Sequence, residues 1–549
     1  MLKKQYRHLD YKIFFLLVLL FILNPLIYSF KITVGGLAND SLAYIFFGNE
    51  LITHGKFYLS SWGHIDNALI LPPLYPALIG LLNLINHDGI YNAELISSLT
   101  LLFTSIPLFF LTLRLSKPTV AFFAVLLFQF NYLTLIYGTA PLTEPIFIFM
   151  LIFLVYLTSR YLSSSRPNFL AFIIGLFACL LFFSRQIGIF YLAIFPLIAL
   201  LQLLNNPYNA SRRVAVFFAG FLLLFIPYSL TIYLQTGHGP FTQTFRMHEY
   251  VVEDGALINN VITNEKETDY NTVYEQRREL RRLLPNSREM MGYVISPSSH
   301  THEIRVPSIY GILLNLYNNF RNCMIMLGNG ISFIFILACL SSLFFYFKEK
   351  KPERLLIPVT VFAYIFTLSL VTGIIGRYLM VLYPLLATHI LVEGSLVSKM
   401  AFINRQRLSW LISILLFLLL LALTPKLFTK AVRFPRLSEK NSTIEHCKSL
   451  IEPGSPIFSI HPLDPYLLGG RYLVLPNDNL EKIATYANFT GVKWLFLDMS
   501  GVHDREVALY KHSQWLQEKR LPSEVDPDYE LRCATPDGLA QLYYIKQTP

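Results

Sequence analysis

Two acids and two arginines stand where long apolar runs begin or end: Asp40 in Asn39-Asp40-Ser41, Glu144 in Leu142-Thr143-Glu144-Pro145, Arg185 in Ser184-Arg185-Gln186 and Arg377 in Gly376-Arg377-Tyr378. A carboxylate there can accept the proton of an attacking hydroxyl or amine. A planar guanidinium can hold a phosphate leaving group through two parallel hydrogen bonds. Together they are the groups that transfer from a lipid phosphate needs. Each also has a plainer role, since acids at helix starts complement the helix dipole and arginines near span ends snorkel to headgroups. Four at one face, beside outer connections otherwise free of cations, weigh toward chemistry.

Histidines add a second constellation. His54, His64 and Asp66 precede the second apolar run, and His238, His248 and Glu249 follow the seventh. They are candidate acceptor or metal groups, and a divalent ion is compatible with them, but none has ligand spacing such as HxxxH. Exposed loop histidines are the stronger reading.

The elements that must position these groups are apolar runs beginning near Tyr11, Glu94, Thr119, Glu144, Phe169, Ile187, Val214, Ile331, Leu355, Tyr378 and Leu408. Most have the roughly 17 to 25 residues that a hydrocarbon layer about 30 Å thick requires. With the N-terminus inside, Lys3, Lys4, Arg7, Lys12, Arg114, Lys117, Arg160, Arg166, Arg212, Arg213, Lys348, Lys350, Lys351, Arg354, Lys399, Arg405 and Arg407 all fall inside. Such a bias orients a multi-pass chain. The short outer connections carry only Arg185 and Arg377 as basic residues. The sequence therefore predicts a mainly α, polytopic protein with about eleven transmembrane helices.

Composition agrees: 54% of the residues are hydrophobic and 15% charged, and the mean hydropathy is +0.47, as in an integral membrane protein. The net charge of +10 belongs to the cytoplasmic headgroup region rather than to nucleic acid, because no basic stripe with interleaved aromatics accompanies it. The first run follows a basic tip but lacks a small-residue cleavage site, so it reads as a retained anchor.

Two outer regions interrupt the spans, at 34–93 and 236–326. The first contains a helical stripe through Leu42, Ile45, Phe46, Leu51 and Ile52, with Asn39 or Asp40 as N-cap, expected to lie flat on the outer surface. It also contains Leu71-Pro72-Pro73-Leu74-Tyr75-Pro76, which starts an apolar segment to Ile85 too short for a crossing and suited to an interfacial or re-entrant helix. The second region is charge-dense from Glu265 to Glu289 and amphipathic from Ile309 to Met326. Residues 1–425 form the membrane part by this reading, and 426–549 a small α/β domain outside. Its strands are expected at Ile457–Ile460, Tyr472–Leu475, Trp494–Leu497, Glu530–Ala534 and Leu542–Ile545, with helices near Leu480–Asn488 and Arg505–Glu518. Cys447 and Cys533 fall in this domain, and whether they pair is open at this stage.

The collinear order of these motifs resembles the GT-C glycosyltransferases, in particular the branch with protein O-mannosyltransferases and lipid A aminoarabinose transferases. It comprises an Asp after the first span, Pro-Pro-Leu-Tyr-Pro before the second, Thr-Glu opening the fourth, an Arg ending the fifth, Arg-Tyr-Leu with Tyr383-Pro384 late in the membrane part, and a terminal outer α/β domain. The resemblance implies an inverting transfer of sugar from a polyprenyl-phosphate-linked donor to a lipid, glycan or protein acceptor at the outer face of the plasma membrane. It implies Asp40 as general base, Arg377 with Tyr378 and Arg185 on the donor phosphate, and Glu144 orienting the acceptor or a metal. The chain departs from the common pattern at Ser41, where many relatives carry a second acid. A transporter or lipid flippase is the rival class, but such proteins place charges near the midplane and show related halves, and neither is evident here.

Overall fold

The computed structural model describes residues 39–60, 68–69, 71–129, 140–203, 207–236, 249–253, 256–260, 329–349, 351–371, 376–400, 447–460, 463–475, 479–498, 521–534 and 540–546, with single positions between them. For some of these, including 39–40, 201–203, 207–210, 329–334, 376–379 and 396–400, only the backbone is described. The first and eleventh expected spans, His64, Asp66, His238, His248, the charged stretch 265–289 and the helix expected at Arg505–Glu518 lie outside the described residues or almost wholly so.

The membrane part is a bundle built from α1 (Asn39–His54), α2 (Leu74–Asn83), α3 (Gly89–Leu115), α4 (Pro118–Gln129), α5 (Glu144–Tyr161), α6 (Pro167–Ser184), α7 (Tyr191–Leu203, led in by a 3-10 turn at Gln186–Phe190), α8 (Pro207–Thr236), α9 (Asn329–Glu349), α10 (Glu353–Val371) and α11 (Gly376–Met400). Prolines open several of them, where a missing N–H costs nothing: Pro118, Pro145 and Pro167 stand in first turns, and Pro73 directly precedes α2. Among the described residues, α3, α5, α6 and Ser211–Thr236 of α8 are long and apolar enough to cross a membrane, while the apolar parts of α4, α7, α9 and α11 are shorter. These helices start within a few residues of the second to tenth expected runs, except that α8 begins seven residues before Val214.

The expected surface helix is more enclosed than its stripe suggested. In α1, Ser41, Leu42, Ala43, Ile45, Phe47, Gly48 and Leu51 are all buried, which leaves no fully wet face. It is also already helical at Asn39 and Asp40, so neither stands outside it as a cap. The cause is α2, which crosses α1 where Gly48 and Gly80 face each other: a Cβ on Gly80 would overlap the Gly48 carbonyl, and one on Gly48 the Pro76 carbonyl. Small residues permit such backbone approach between apolar helices. Gly80→Ala tests this contact with opposed terms. Helix propensity favours alanine by about 1 kcal/mol, whereas overpacking costs about 1–3 kcal/mol or more. With backbone as the obstacle the net expectation is a loss, read as a lower unfolding temperature in detergent; a rise would show that the two helices part freely.

At the C-terminus a five-stranded sheet contains β1 (Pro456–Ser459), β2 (Arg471–Val474), β3 (Trp494–Asp498), β4 (Tyr529–Ala534) and β5 (Ala540–Ile545) in the order β2-β1-β3-β5-β4. The first three are parallel and the last two antiparallel, with helices α12 (Leu463–Leu467) and α13 (Leu480–Thr490) between strands. Cys447 and Cys533 form a disulfide that ties the edge strand β4 to the segment before β1, across 86 positions.

Candidate functional site

The fifth and sixth helices bring two of the four chemistry-bearing residues together. Glu144 opens α5 and is 1% exposed, and its Oε1 lies 2.5 Å from Arg185 Nη1, the guanidinium being 17% exposed. Arg185 follows the last residue of α6 in extended backbone (φ −156°, ψ 133°), and the chain then turns into Gln186–Phe190. Gly188 makes that turn possible, since a Cβ there would meet the Leu181 backbone at 2.7 Å, and its N–H donates to the Arg185 carbonyl at 2.8 Å. Arg185 Nη1 also donates to the Thr143 hydroxyl at 3.2 Å. Thr143 makes no side-chain cap on α5; its hydroxyl serves the arginine instead. An acid in a helix's first turn gains from the dipole, and here a partly buried cation adds to that.

Neighbouring contacts place the other candidates at the same end of the bundle. Tyr75 of α2 donates to the Ala93 carbonyl at 2.9 Å and lies 2.8 Å from the Ser97 hydroxyl on α3. Leu42 and Ile45 of α1, Tyr75 and Ile79 of α2, Ala93 and Ile96 of α3 and Ile146 of α5 form one buried cluster. The start of α1, which carries Asp40, thus belongs to the cluster that encloses the start of α5. The Tyr383 hydroxyl on α11 is hydrogen-bonded to the Asn131 side chain just past α4, and Ser395 meets Ser116 just before α4 at 3.3 Å. The two helices therefore run antiparallel, and α11 begins, with Arg377 and Tyr378, at the end where α5 also begins. The side chains of Asp40, Arg377 and Tyr378 are outside the description. His54 is exposed in the last turn of α1, and among the described residues no three His, Cys, Asp or Glu gather to hold a metal.

Two further contacts close this end. Gln235 at the end of α8 accepts from the Phe57 N–H and donates to the Gly55 carbonyl, both at 2.8 Å, which fastens the segment after α1. Tyr466 of α12 packs edge-on against Phe46 with ring centres 5.6 Å apart. The N–H groups of Gly89 and Ile90 donate to its phenolic oxygen, filling donors that the start of α3 leaves open. Burial, reinforced by nearby Asp88, pushes the Tyr466 hydroxyl up to about 12, while the two N–H groups act the other way. It remains a neutral phenol at physiological pH, and it docks the sheet domain onto α1 and α3.

An apolar cavity of about 530 Å³ opens lower in the bundle, lined by Leu197 of α7, Phe320, and Val359, Phe362, Ala363, Ile365 and Phe366 of α10. The 3-10 turn after Arg185 leads into α7, and Phe190 in that turn packs against Tyr364 of α10 at 5.5 Å. That turn therefore connects Arg185 to the α7–α10 pair that lines the cavity. Sequence reasoning did not anticipate Thr143 as a partner of Arg185, although its place beside Glu144 was the available signal.

No protein-family model matches the sequence, and no curated protein sequence is significantly similar to it. Solved structures share its fold. The oligosaccharyltransferase of Archaeoglobus fulgidus in complex with zinc and sulfate superposes with a TM-score of 0.56 over 96% of this chain and 73% of that one, at 12% identity. Oligosaccharyltransferase AglB from the same organism, with an inhibitory peptide and a dolichol-phosphate, gives 0.52 over 97% and 75% at 11% identity. ArnT from Cupriavidus metallidurans bound to undecaprenyl phosphate gives 0.51 over 96% and 97% at 12% identity. All three are GT-C membrane glycosyltransferases, and this chain has their fold.

Proposed function

We propose that this chain transfers a sugar from a polyprenyl-phosphate-linked donor to a lipid, glycan or protein acceptor at the outer face of the plasma membrane. The N-terminus and the connections rich in lysine and arginine are then cytoplasmic, and the C-terminal domain is outside, where its disulfide suits an oxidising compartment. The observation that carries the reading is the enclosed Glu144–Arg185 pair at the end of the bundle where α1 and α11 begin. Neighbours of the same fold holding dolichol-phosphate or undecaprenyl phosphate support it, as does an apolar cavity suited to an isoprenoid tail.

In this reading Asp40 takes the proton of the acceptor's hydroxyl or amine as its lone pair attacks the anomeric carbon. The bond from that carbon to the phosphate oxygen breaks, and the lipid phosphate leaves with the electron pair. One displacement inverts the carbon. Arg377 and Arg185 stabilise charge on the departing phosphate, Tyr378 adds a hydroxyl donor, and Glu144 holds the Arg185 fork in one orientation. Because Glu144 balances Arg185, Arg377 supplies the net positive charge.

The test is transfer from a synthetic polyprenyl-phosphate sugar by purified protein in lipid, comparing the unaltered chain with Arg377→Ala. The variant is expected to raise the donor KM by about tenfold or more, since a charge-assisted phosphate contact contributes about 1.5–3 kcal/mol. An unchanged KM would remove Arg377 from the donor site, and transport of the intact lipid without a covalent product would remove the transferase.

A further inference from the structure

The other half of the bundle holds a charged cluster that the proposed chemistry does not use. Glu393 of α11 is buried, and its two carboxylate oxygens accept from the Ser341 and Ser342 hydroxyls of α9, each at 2.8 Å. Arg354, in the first turn of α10, brings Nη1 to 3.9 Å from Oε1 of the same carboxylate and lies over the Phe345 ring of α9 at 5.8 Å. One turn earlier, buried His389 lies 3.4 Å from the Ser342 hydroxyl and edge-on to Phe335. Ser395 reaches Ser116 beside α4. A single stretch of α11, residues 389–395, is thus tied to α9, α10 and the turn before α4.

An ionised carboxylate inside an apolar bundle is costly unless it is paired and hydrogen-bonded. Leucines could fill the same space without that cost, but apolar contacts tolerate rotation and sliding, whereas a satisfied polar network admits one arrangement. What the arrangement fixes is α11, and α11 begins with Arg377 and Tyr378. Sixteen residues at 1.5 Å each put Glu393 about 24 Å from Arg377 along the helix, too far for direct contact. Turning or sliding α11 by one position would nonetheless displace its first turn by ångströms, enough to take a guanidinium out of the roughly 2.7–3.2 Å range of a hydrogen bond to the donor phosphate.

We infer that Glu393 is a positioning residue for the donor site, setting the rotation and height of α11 through α9 and α10. This rests on the proposed role of Arg377 and Tyr378. The experiment therefore reads the bracket and the site separately, in Glu393→Ala and in Glu393→Gln, whose amide keeps both serine contacts. Cys339 of α9 stands two residues before Ser341 and is half-buried. Its labelling by N-ethylmaleimide in the folded protein, followed by peptide mass spectrometry, reports loosening of α9 from α11.

In Glu393→Ala, Cys339 labelling is expected to quicken by about tenfold and the donor KM to rise by a similar factor, with kcat within about threefold of the unaltered chain. Glu393→Gln should restore both most of the way. Unchanged labelling in Glu393→Ala would overturn the bracket, and faster labelling with an unchanged donor KM would overturn its positioning role. Absence of transfer by the unaltered chain would instead sink the functional reading alone, and the labelling would still decide whether the bracket exists.

Discussion

Asp40→Asn is expected to lower transfer by about a hundred- to ten-thousandfold, the usual contribution of a positioned general base, while donor binding stays close to normal. The asparagine preserves size and helix position but cannot take up the acceptor's proton. Because α1 is enclosed by α2 and by Tyr466 of the sheet domain, an isosteric change at its second residue should leave the fold intact. The measurement is single-turnover transfer beside photo-crosslinking of the lipid donor, which separates the chemical step from binding. Near-normal turnover would assign the base elsewhere, and lost crosslinking would make Asp40 a binding residue.

Removing one side of the Glu144–Arg185 pair should have the second largest effect, on stability and activity together. Glu144→Leu leaves the guanidinium beside an apolar wall, and orphaning one charge of a buried pair costs about 3–5 kcal/mol. The 17% exposure of Arg185 lets water relieve part of that. Glu144→Leu with Arg185→Met removes both charges and should recover most of the lost thermal stability. Transfer is expected to remain at least about a hundredfold down in the double variant, because the phosphate loses a donor fork that stability does not restore. Thermal unfolding in detergent with donor titration distinguishes the cases. Recovery of both properties in the double variant would make the pair structural only.

Much of the architecture was legible along the chain. Runs of apolar residues long enough for a hydrocarbon slab can be counted without knowing their neighbours, and the starts of α3 to α11 follow from those runs and from their opening prolines. The five strands of the C-terminal domain lie within two residues of the short stretches rich in Ile, Leu, Phe, Tyr and Trp, because such residues favour strands locally. The placement of Glu144 at a helix start and of Arg185 at a helix end was equally local.

Partnerships between distant residues were not legible. That Glu144 meets Arg185, that Cys447 bonds to Cys533 and that Tyr466 fills the open donors of α3 depend on how helices rotate and cross. Close approaches such as Gly48 on Gly80 decide those crossings. Glu393 was overlooked for the same reason. A histidine and a glutamate four apart in an apolar helix, and a serine pair in another, are separate signals until packing closes the network. Chain order determined which segments are helices, strands and spans, since hydrogen-bond repeat and slab thickness act over a few residues. Which charges neutralise each other was settled only in three dimensions, where burial raises the cost of any unmatched group.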